Sequence, residues 1–325
     1  MITPQTYVPF LVKEYLRGFV ADGGAAVKFV VPQTGYDFAS VVSPLREAAL
    51  ADGYVVVQVD ARSAKVHMMD KLFHEVARQI DWRGLADVIA RRAIAAAGFQ
   101  LPDGDQPLDL ERIAKSNDYA VNYLNVAFNK ELQRDILHDY SLTQDFRHAM
   151  IALCRAQADR GAEVQTLAAS VLDWLNGDLQ RITQLRDALI FQRIGRHNAR
   201  DLLFSLASWV VKAGRGGLVL VIDASQLAVS KRSEAEGSLF YTRPAVLDAY
   251  ELLRQLIDEV DELSGCLVVV GCAPEFLTEP GRGLEAYHAL RLRIADDVRD
   301  RRRPNPFAAL VRLGVDFAPD DGRNS

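Results

Sequence analysis

Short runs of apolar, mostly β-branched residues recur along the chain, and Gly or Asp bounds them. Near-continuous apolar runs of this length are typical of strands that are buried on both faces of a parallel sheet. The last of the runs, near the C-terminus, is the weakest. The pattern predicts strands over residues 27–31, 54–59, 218–222, 266–270 and 308–313.

Segments with apolar residues at helical spacing separate these runs. They cover residues 7–19, 68–80 and 247–263, and the first is followed by Gly23 and Gly24, which can close a helix. Strands that alternate with helices indicate an α/β fold whose mostly parallel sheet is covered on both faces.

A long stretch without a convincing strand, residues 82–213, is predicted to be a helical insertion between the second and third strands. The chain then divides into residues 1–81 with two strands, the insertion, residues 214–315 with the rest of the core, and a disordered tail over 316–325. Residues 226–244 are polar and contain Gly and Pro, which predicts a mobile loop. Large apolar residues of the insertion are expected in its core: Trp174, Leu175, Phe191, Leu202, Leu203 and Phe204.

The first strand runs into a Gly-containing turn and a helix, which is the setting of a phosphate-binding P-loop. A working P-loop needs glycines that turn backbone N–H groups towards the phosphates, a Lys for their charge, and a Ser or Thr for magnesium. Here Pro32 and Asp37 replace the two glycines, Phe38 and Ala39 replace the Lys and the hydroxyl, and Gly35 fits. We therefore expect a degenerate loop in which Phe38 packs into the vacated pocket, with presentation to a partner as the alternative.

The third strand ends in an acidic residue. GLVLVIDAS, residues 217–225, ends at Asp223, the position that holds magnesium in the Walker B motif, and the usual Glu after it is Ala224. Asp223 either ligates magnesium or caps the following turn, and the cap is our preferred interpretation. The fourth strand ends near Cys272, where a sensor Asn or Thr would reach the γ-phosphate. None of these residues is assigned a catalytic role.

Composition narrows the functional classes further. The 325 residues are 49% hydrophobic and 25% charged, as in ordinary globular proteins, and the net charge of −5 argues against a uniformly basic nucleic-acid binder. The 3 cysteines and 6 histidines lack metal-ligand spacing, so we expect no metal site and a cytoplasmic location. No apolar run approaches the roughly 20 residues of a membrane-spanning helix, and no membrane contact is expected. A dense basic run at 299–304 offers Arg301, Arg302 and Arg303 either as nucleic-acid contacts or as a solvated segment.

Long segments of the chain resemble, in the same order, the BrxC/BrxD-like ATP-binding proteins of bacterial BREX phage-exclusion systems. They include EYLRGFVADGGAAVKFVV, RHNARDLLFSLASWVVKAGRGGLVLVIDASQLA and YTRPAVLDAYELLRQLIDEVDELSGCLVVVG. The resemblance implies an AAA+-like P-loop fold and partners from the same defence system, namely an ATPase, a nuclease, a methyltransferase or a helicase. It also implies an arginine finger at Arg291 or Arg293, although these residues could instead pair with the acidic residues of DDVRD, 296–300. Members of this family usually continue into a C-terminal region that is often larger than the ending of this chain. Because this chain stops soon after NPFAALVRL, we expect no lid or winged-helix subdomain.

Loss of phosphate neutralisation, magnesium ligation and water activation together favours a pseudo-ATPase without a cofactor. Such a chain would be a structural or regulatory subunit of a homo- or hetero-oligomer that contacts DNA through the complex. One alternative is an active ATPase that binds ATP and magnesium by recruiting Lys28 or Arg62 from outside the loop. The other is a DNA-binding defence subunit that uses Arg299 to Arg303 together with Lys231 and Arg232.

Overall fold

Five parallel strands form one sheet in the part of the chain that the computed structural model describes, which is residues 1–33, 35–101, 106–230, 238–295 and 305–314. The strands are β1 (Ala25–Pro32), β2 (Val55–Asp60), β3 (Leu218–Asp223), β4 (Cys266–Gly271) and β5 (Leu310–Leu313), in the spatial order β2-β3-β4-β1-β5. The predicted α/β fold with a mostly parallel sheet is confirmed, and all five predicted strands are present.

The apolar character of the central strands follows from their burial. All six residues of β4 are buried, and β1 has only Ala26 partly exposed. Helices therefore cover both faces of the sheet, and a central strand needs apolar side chains in both directions. This is why these runs lack the alternation of a half-exposed strand.

The helices lie between and around these strands. They are α1 (Pro4–Phe10), α2 (Ala39–Ala51), α3 (Met69–Ala77), α4 (Trp82–Ala96), α5 (Leu110–Ser116), α6 (Val121–Leu132), α7 (Gln144–Ala158), α8 (Ala162–Asn176), α9 (Ala199–Lys212), α10 (Arg243–Asp258), α11 (Glu275–Thr278) and α12 (His288–Ile294). Short 3₁₀ segments span Ile182–Ala188, Ser225–Ala228, Val260–Glu262 and Leu284–Ala286, and π-helical segments span Leu11–Phe19 and Gln133–Leu137.

The described chain divides into two compact units. Residues 1–72 together with the chain from 216 onwards contain the sheet, and residues 73–215 form the other unit, whose described residues include no strand. In the sheet unit, α1, the π-helical segment and α2 pack on one sheet face through a continuous apolar cluster. In the helical unit, α4 packs on α7 and α7 on α8.

Aromatic residues fill the centre of the helical unit. The Phe146 ring meets the rings of Trp82 and Trp209 edge-on, at centroid distances of 6.0 and 6.3 Å. Trp174 and Leu175 are buried as expected. The expectation for Phe191 is wrong, because its side chain is 66% exposed.

The polar segment 226–244 also differs from expectation at its two ends. Gln226, Leu227 and Ala228 are buried in a 3₁₀ turn rather than exposed. Tyr241 is buried as well, and its hydroxyl donates to the carbonyl oxygens of Ala61 and Ala64. Both ends of this segment are thus fixed to the sheet unit, while residues 231–237 and the predicted tail at 316–325 lie outside the described residues.

Candidate functional site at the carboxyl edge of the sheet

Strand register brings the loops after β1, β3 and β4 to the same edge of the sheet. Gly271 at the end of β4 is paired with Val30 of β1 on one side and with Asp223 of β3 on the other. Asp223 is in turn paired with Asp60 at the end of β2. Ligands of parallel α/β sheets bind at this carboxyl edge, so it is the candidate functional site.

The loop after β1 starts with residues that cannot cradle a phosphate. Pro32 is the last residue of β1 and has no N–H group to offer. The N–H of Gln33 is already used, because it donates to the carbonyl of Leu313 at 3.0 Å. Gly35 adopts φ +92° in open space, as a turn glycine does, and Thr34 lies outside the described residues. This turn therefore redirects the chain from β1 into α2.

Asp37 occupies the amino end of α2 with its own carboxylate. Its Oδ1 accepts the backbone N–H of Ser40 at 2.8 Å, and the Ser40 hydroxyl donates back to the Asp37 carbonyl at 2.6 Å. Free N–H groups and the helix dipole make this end of a helix the natural place for an anion. In this chain the anion is supplied by the protein itself. An Asp just before a helical segment is a sequence signal for such a cap, whereas the comparison with a P-loop identifies Asp37 only as the replacement for a glycine.

Two aromatic rings fix the same loop to the neighbouring strands. The Phe38 ring lies so close over Gly271 that a Cβ there would overlap its Cγ and Cδ1 atoms. The Tyr36 ring lies over Gly314, where a Cβ would fall 2.7 Å from Cδ2. Phe38 also packs against the apolar cluster of the sheet unit. The side chain in place of the P-loop lysine is therefore partly buried against the core, and Ala39 begins the helix.

Asp223 is held by the turn that follows it. Its Oδ1 accepts the backbone N–H of Ser225 at 3.1 Å and the hydroxyl of the same residue, which is the turn-capping arrangement. Its Oδ2 lies 3.9 Å from Nη2 of Arg62. Arg62 makes its shorter ion pair, 2.8 Å, with Asp60, and this hydrogen-bonded pairing raises the pKa of the guanidinium. Both oxygens of Asp223 thus face groups of the protein.

The residue after Asp223 is Ala224, which lies in apolar surroundings. Ala224 is 4% exposed. Its N–H donates to the carbonyl of Gly271 at 2.7 Å, and its methyl group faces a small apolar cavity. The residues that line this cavity all have apolar side chains, which would not stabilise a carboxylate. The cavity is lined by Val66, Leu72, Ile222, Ala224, Leu227, Ala249, Leu252 and Leu253.

The sensor-like Cys272 is buried beside Asp223. The residue is 4% exposed, and burial together with the charge of Asp223 raises the pKa of its thiol. Its backbone N–H donates to the carbonyl of Val30 at 2.9 Å. The residue therefore contributes a neutral, inward-facing thiol to this edge.

The two candidate finger arginines are engaged in ion pairs on the sheet unit. Arg291 Nη1 lies 2.7 Å from Glu285 Oε2, and Arg293 Nε lies 2.9 Å from Asp258 Oδ1. The hydrogen bond from Arg293 lowers the pKa of the Asp258 carboxyl. The predicted partners in DDVRD lie outside the described residues, as do Lys231, Arg232, Arg301, Arg302 and Arg303.

Lys28 lies within β1 and its ammonium group binds backbone carbonyls. Nζ donates to the carbonyl of Phe307 at 2.6 Å and of Ala308 at 3.1 Å, and it lies 4.5 Å from the ring centroid of Tyr15. Burial lowers the pKa of Lys28 to about 8. Both cations that were considered as substitutes for the loop lysine, Lys28 and Arg62, are therefore already bound by other groups of the sheet unit.

Two negative observations concern the described residues alone. In them, no group of three or more His, Cys, Asp or Glu side chains is placed to hold a metal ion. None of their helices combines the length and apolarity that crossing a bilayer requires.

Comparison with known families gives one match. The profile of the family described as "BREX system ATP-binding protein BrxC/D" matches residues 13–320, nearly the whole chain. No curated protein and no solved structure matches the chain significantly. The match supports the predicted P-loop NTPase-like fold, with which the all-parallel sheet agrees.

Removing the carboxylate of Asp37 is expected to weaken the start of α2. Asp37→Ala loses the acceptor for the Ser40 N–H and should lower the free energy of unfolding by about 1 kcal/mol. Asp37→Asn keeps an acceptor oxygen at the same place and is expected to stay close to the wild type. Urea denaturation of the three proteins measures both differences, and an equal loss in both variants would contradict the cap.

Lys28 should make stability depend on pH above neutrality. Because its pKa is about 8 when folded and near 10.5 when unfolded, the unfolded chain binds more protons between these values, and stability rises with pH. Relative to Lys28→Met, the wild type should gain up to about 3 kcal/mol from pH 8 to pH 10.5. The matched control is Lys65→Met, which removes an exposed lysine and leaves the contacts of Lys28 in place. Denaturation at several pH values checks this, and equal pH dependence in both variants contradicts the burial argument.

Proposed function

The chain belongs to the family of BREX system ATP-binding proteins, and we propose that within this defence system it is a pseudo-ATPase. In this proposal it is a structural or regulatory subunit in the cytoplasm that keeps the P-loop-like fold for its surfaces. It needs neither ATP nor magnesium. No residue at the carboxyl edge of its sheet has a catalytic role.

The occupied amino end of α2 carries the proposal. The Asp37 carboxylate caps the Ser40 N–H where a P-loop would present N–H groups to a phosphate, and the Phe38 ring packs where the lysine would stand. A charge-assisted contact of a lysine with phosphate is worth about 1.5–3 kcal/mol, and each 1.4 kcal/mol is about tenfold in affinity. Losing that contact while adding a negative charge disfavours a triphosphate by several orders of magnitude.

The environment of Asp223 and Ala224 supports the same conclusion for hydrolysis. Phosphoryl transfer depends almost wholly on positioned charge and a positioned water. Asp223 is engaged by Ser225 and lies near Arg62, and Ala224 faces an apolar cavity. A magnesium ion would have to displace these contacts, and a catalytic carboxylate would have to be buried.

Membership of a defence system implies partners from that system. The subunit would associate with itself or with a catalytic relative, and through the complex with a nuclease, a methyltransferase, a helicase or DNA. The ion pairs of Arg291 and Arg293 with Glu285 and Asp258 favour a structural role for these arginines over a finger that reaches a neighbouring nucleotide.

An active ATPase is the second candidate, favoured by the family description and by the acidic residue at the end of β3. It would have to recruit a cation from outside the loop. Lys28 is bound to the carbonyls of Phe307 and Ala308, and Arg62 to Asp60, so recruitment would cost existing contacts.

Calorimetric titration with magnesium-ATP tests the proposal directly. The full chain should show no binding at millimolar nucleotide, with Asp223→Asn as the matched variant and indistinguishable from the wild type. Micromolar binding, or nucleotide turnover that Asp223→Asn abolishes, would establish the ATPase instead.

Restoring the missing Walker B carboxylate should destabilise the protein without producing hydrolysis. Ala224→Glu buries a charge in an apolar cavity and is expected to cost about 3 kcal/mol or more at neutral pH. Ala224→Gln introduces a neutral side chain of nearly the same size, so the difference in stability between the two variants measures the cost of the charge. Burial raises the pKa of the introduced carboxyl, so the excess loss in Ala224→Glu should shrink as pH falls towards 4. Denaturation at pH 4 and pH 7 measures this, and a gain of ATP turnover in Ala224→Glu would overturn the pseudo-ATPase.

A further inference from the structure

The helical unit exposes a basic and apolar segment that no part of the candidate site uses. Residues 181–196, here called the arginine loop, contain four arginines and one carboxylate, Asp187, in a chain whose net charge is −5. The loop includes the 3₁₀ segment Ile182–Ala188 and the extended chain that leads to α9.

The arginines of this loop are exposed and lack carboxylate partners in the described residues. Arg181, Arg186 and Arg196 are exposed and make no ion pair there. Arg193 donates to two backbone carbonyls, those of Leu179 and Gln180, which brings it close to Arg181 and leaves its charge uncompensated. Arg62, Arg291 and Arg293 each have a carboxylate at hydrogen-bond distance, whereas the charge of this loop is not paired with a carboxylate in the described residues.

Two large apolar side chains lie among these arginines and face solvent. Phe191 is 66% exposed and Leu189 is 54% exposed. Leu189 also adopts the left-handed backbone conformation, with φ 56° and ψ 32°, which a leucine rarely adopts. Strained, exposed apolar residues of this kind concentrate at binding sites.

The loop is held in place from below. Leu185, Ile190 and Ile194 are buried, and the indole N–H of Trp174 donates to the carbonyl of Gln192 at 3.0 Å. The Gln192 amide in turn donates to Asp145 of α7 at 2.6 Å. A buried underside fixes the outer side chains at low entropic cost on binding.

We propose that the arginine loop binds single-stranded nucleic acid, with its arginines on the phosphodiester chain and Phe191 stacked on an unpaired base. Cationic side chains that alternate with an exposed aromatic are the chemistry that recognises a single strand without sequence preference. Double-stranded ligands would satisfy the arginines but leave Phe191 without a base face. The residues assigned to this surface are Arg181, Arg186, Leu189, Phe191, Arg193 and Arg196.

Fluorescence anisotropy of the full chain with labelled dT20, rU20 and a duplex of the same length tests this surface, without nucleotide in the buffer. We expect a micromolar Kd for single strands at low salt, and a slope of log K against log salt of about −3, as four phosphate contacts give. The dT20 and rU20 arms identify whether DNA or RNA is preferred.

Matched variants locate the binding on the loop. R186E/R196E should weaken single-strand binding more than tenfold and roughly halve the salt slope. A single charge reversal at the exposed Arg83 of α4, R83E, makes half of that charge change and should weaken binding by about twofold at most. F191A should weaken it by about tenfold, whereas Y123A, which removes an exposed aromatic ring from α6, should leave it unchanged. Circular dichroism checks that these surface variants are folded.

Several outcomes would overturn the assignment. They are absence of binding at low salt, equal losses in R83E and R186E/R196E, or duplex binding as tight as single-strand binding with F191A neutral. Competition by polyglutamate as effective as that of unlabelled dT20 would instead assign the loop to an acidic protein. None of these results depends on whether the chain binds ATP, so the pseudo-ATPase proposal is tested separately.

Discussion

Hydrogen bonding of β4 to both β1 and β3 is the constraint on which the candidate site depends. The pairing continues past the strand ends, because the N–H of Cys272 donates to the Val30 carbonyl at 2.9 Å and that of Ala224 to the Gly271 carbonyl at 2.7 Å. Segments far apart in sequence are thereby held at one place. Gly271 lies at this junction, and its lack of a Cβ is what lets the Phe38 ring lie against the backbone. Packing of the loop after β1 is thus a consequence of strand order as much as of the loop's own sequence.

The carboxylates at this edge are paired within the protein. Asp37 accepts from Ser40, Asp223 accepts from Ser225, and Asp60 pairs with Arg62. A nucleotide site works the other way, because its donors are preorganised and left open for charge that arrives with the ligand. An edge whose carboxylates are already paired needs no ligand to balance their charge. The family's fold can therefore be retained here for reasons other than phosphate binding.

Much of the fold could be predicted from the sequence because burial on both faces leaves a clear mark in apolar runs such as the one that forms β4. Asp223 as a turn cap was also accessible, since an Asp at a strand end followed by a Ser is a local signal. The exposure of Phe191 could not be predicted, because apolar spacing shows which face of an element carries large side chains but not whether another element covers that face. The partners of Lys28 could not be predicted either, since the carbonyls of Phe307 and Ala308 lie about 280 residues away along the chain.

The exposed position of Phe191 changes the interpretation of residues 181–196. As a core residue of a helical insertion, Phe191 would indicate no binding surface in this stretch. Because Phe191 faces solvent, the same arginines surround an exposed aromatic ring, and a ring in that position costs solubility without adding folding stability. At the carboxyl edge of the sheet, charge is paired internally. In the arginine loop the positive charge is not paired with carboxylates of the protein, and it can therefore bind a polyanion.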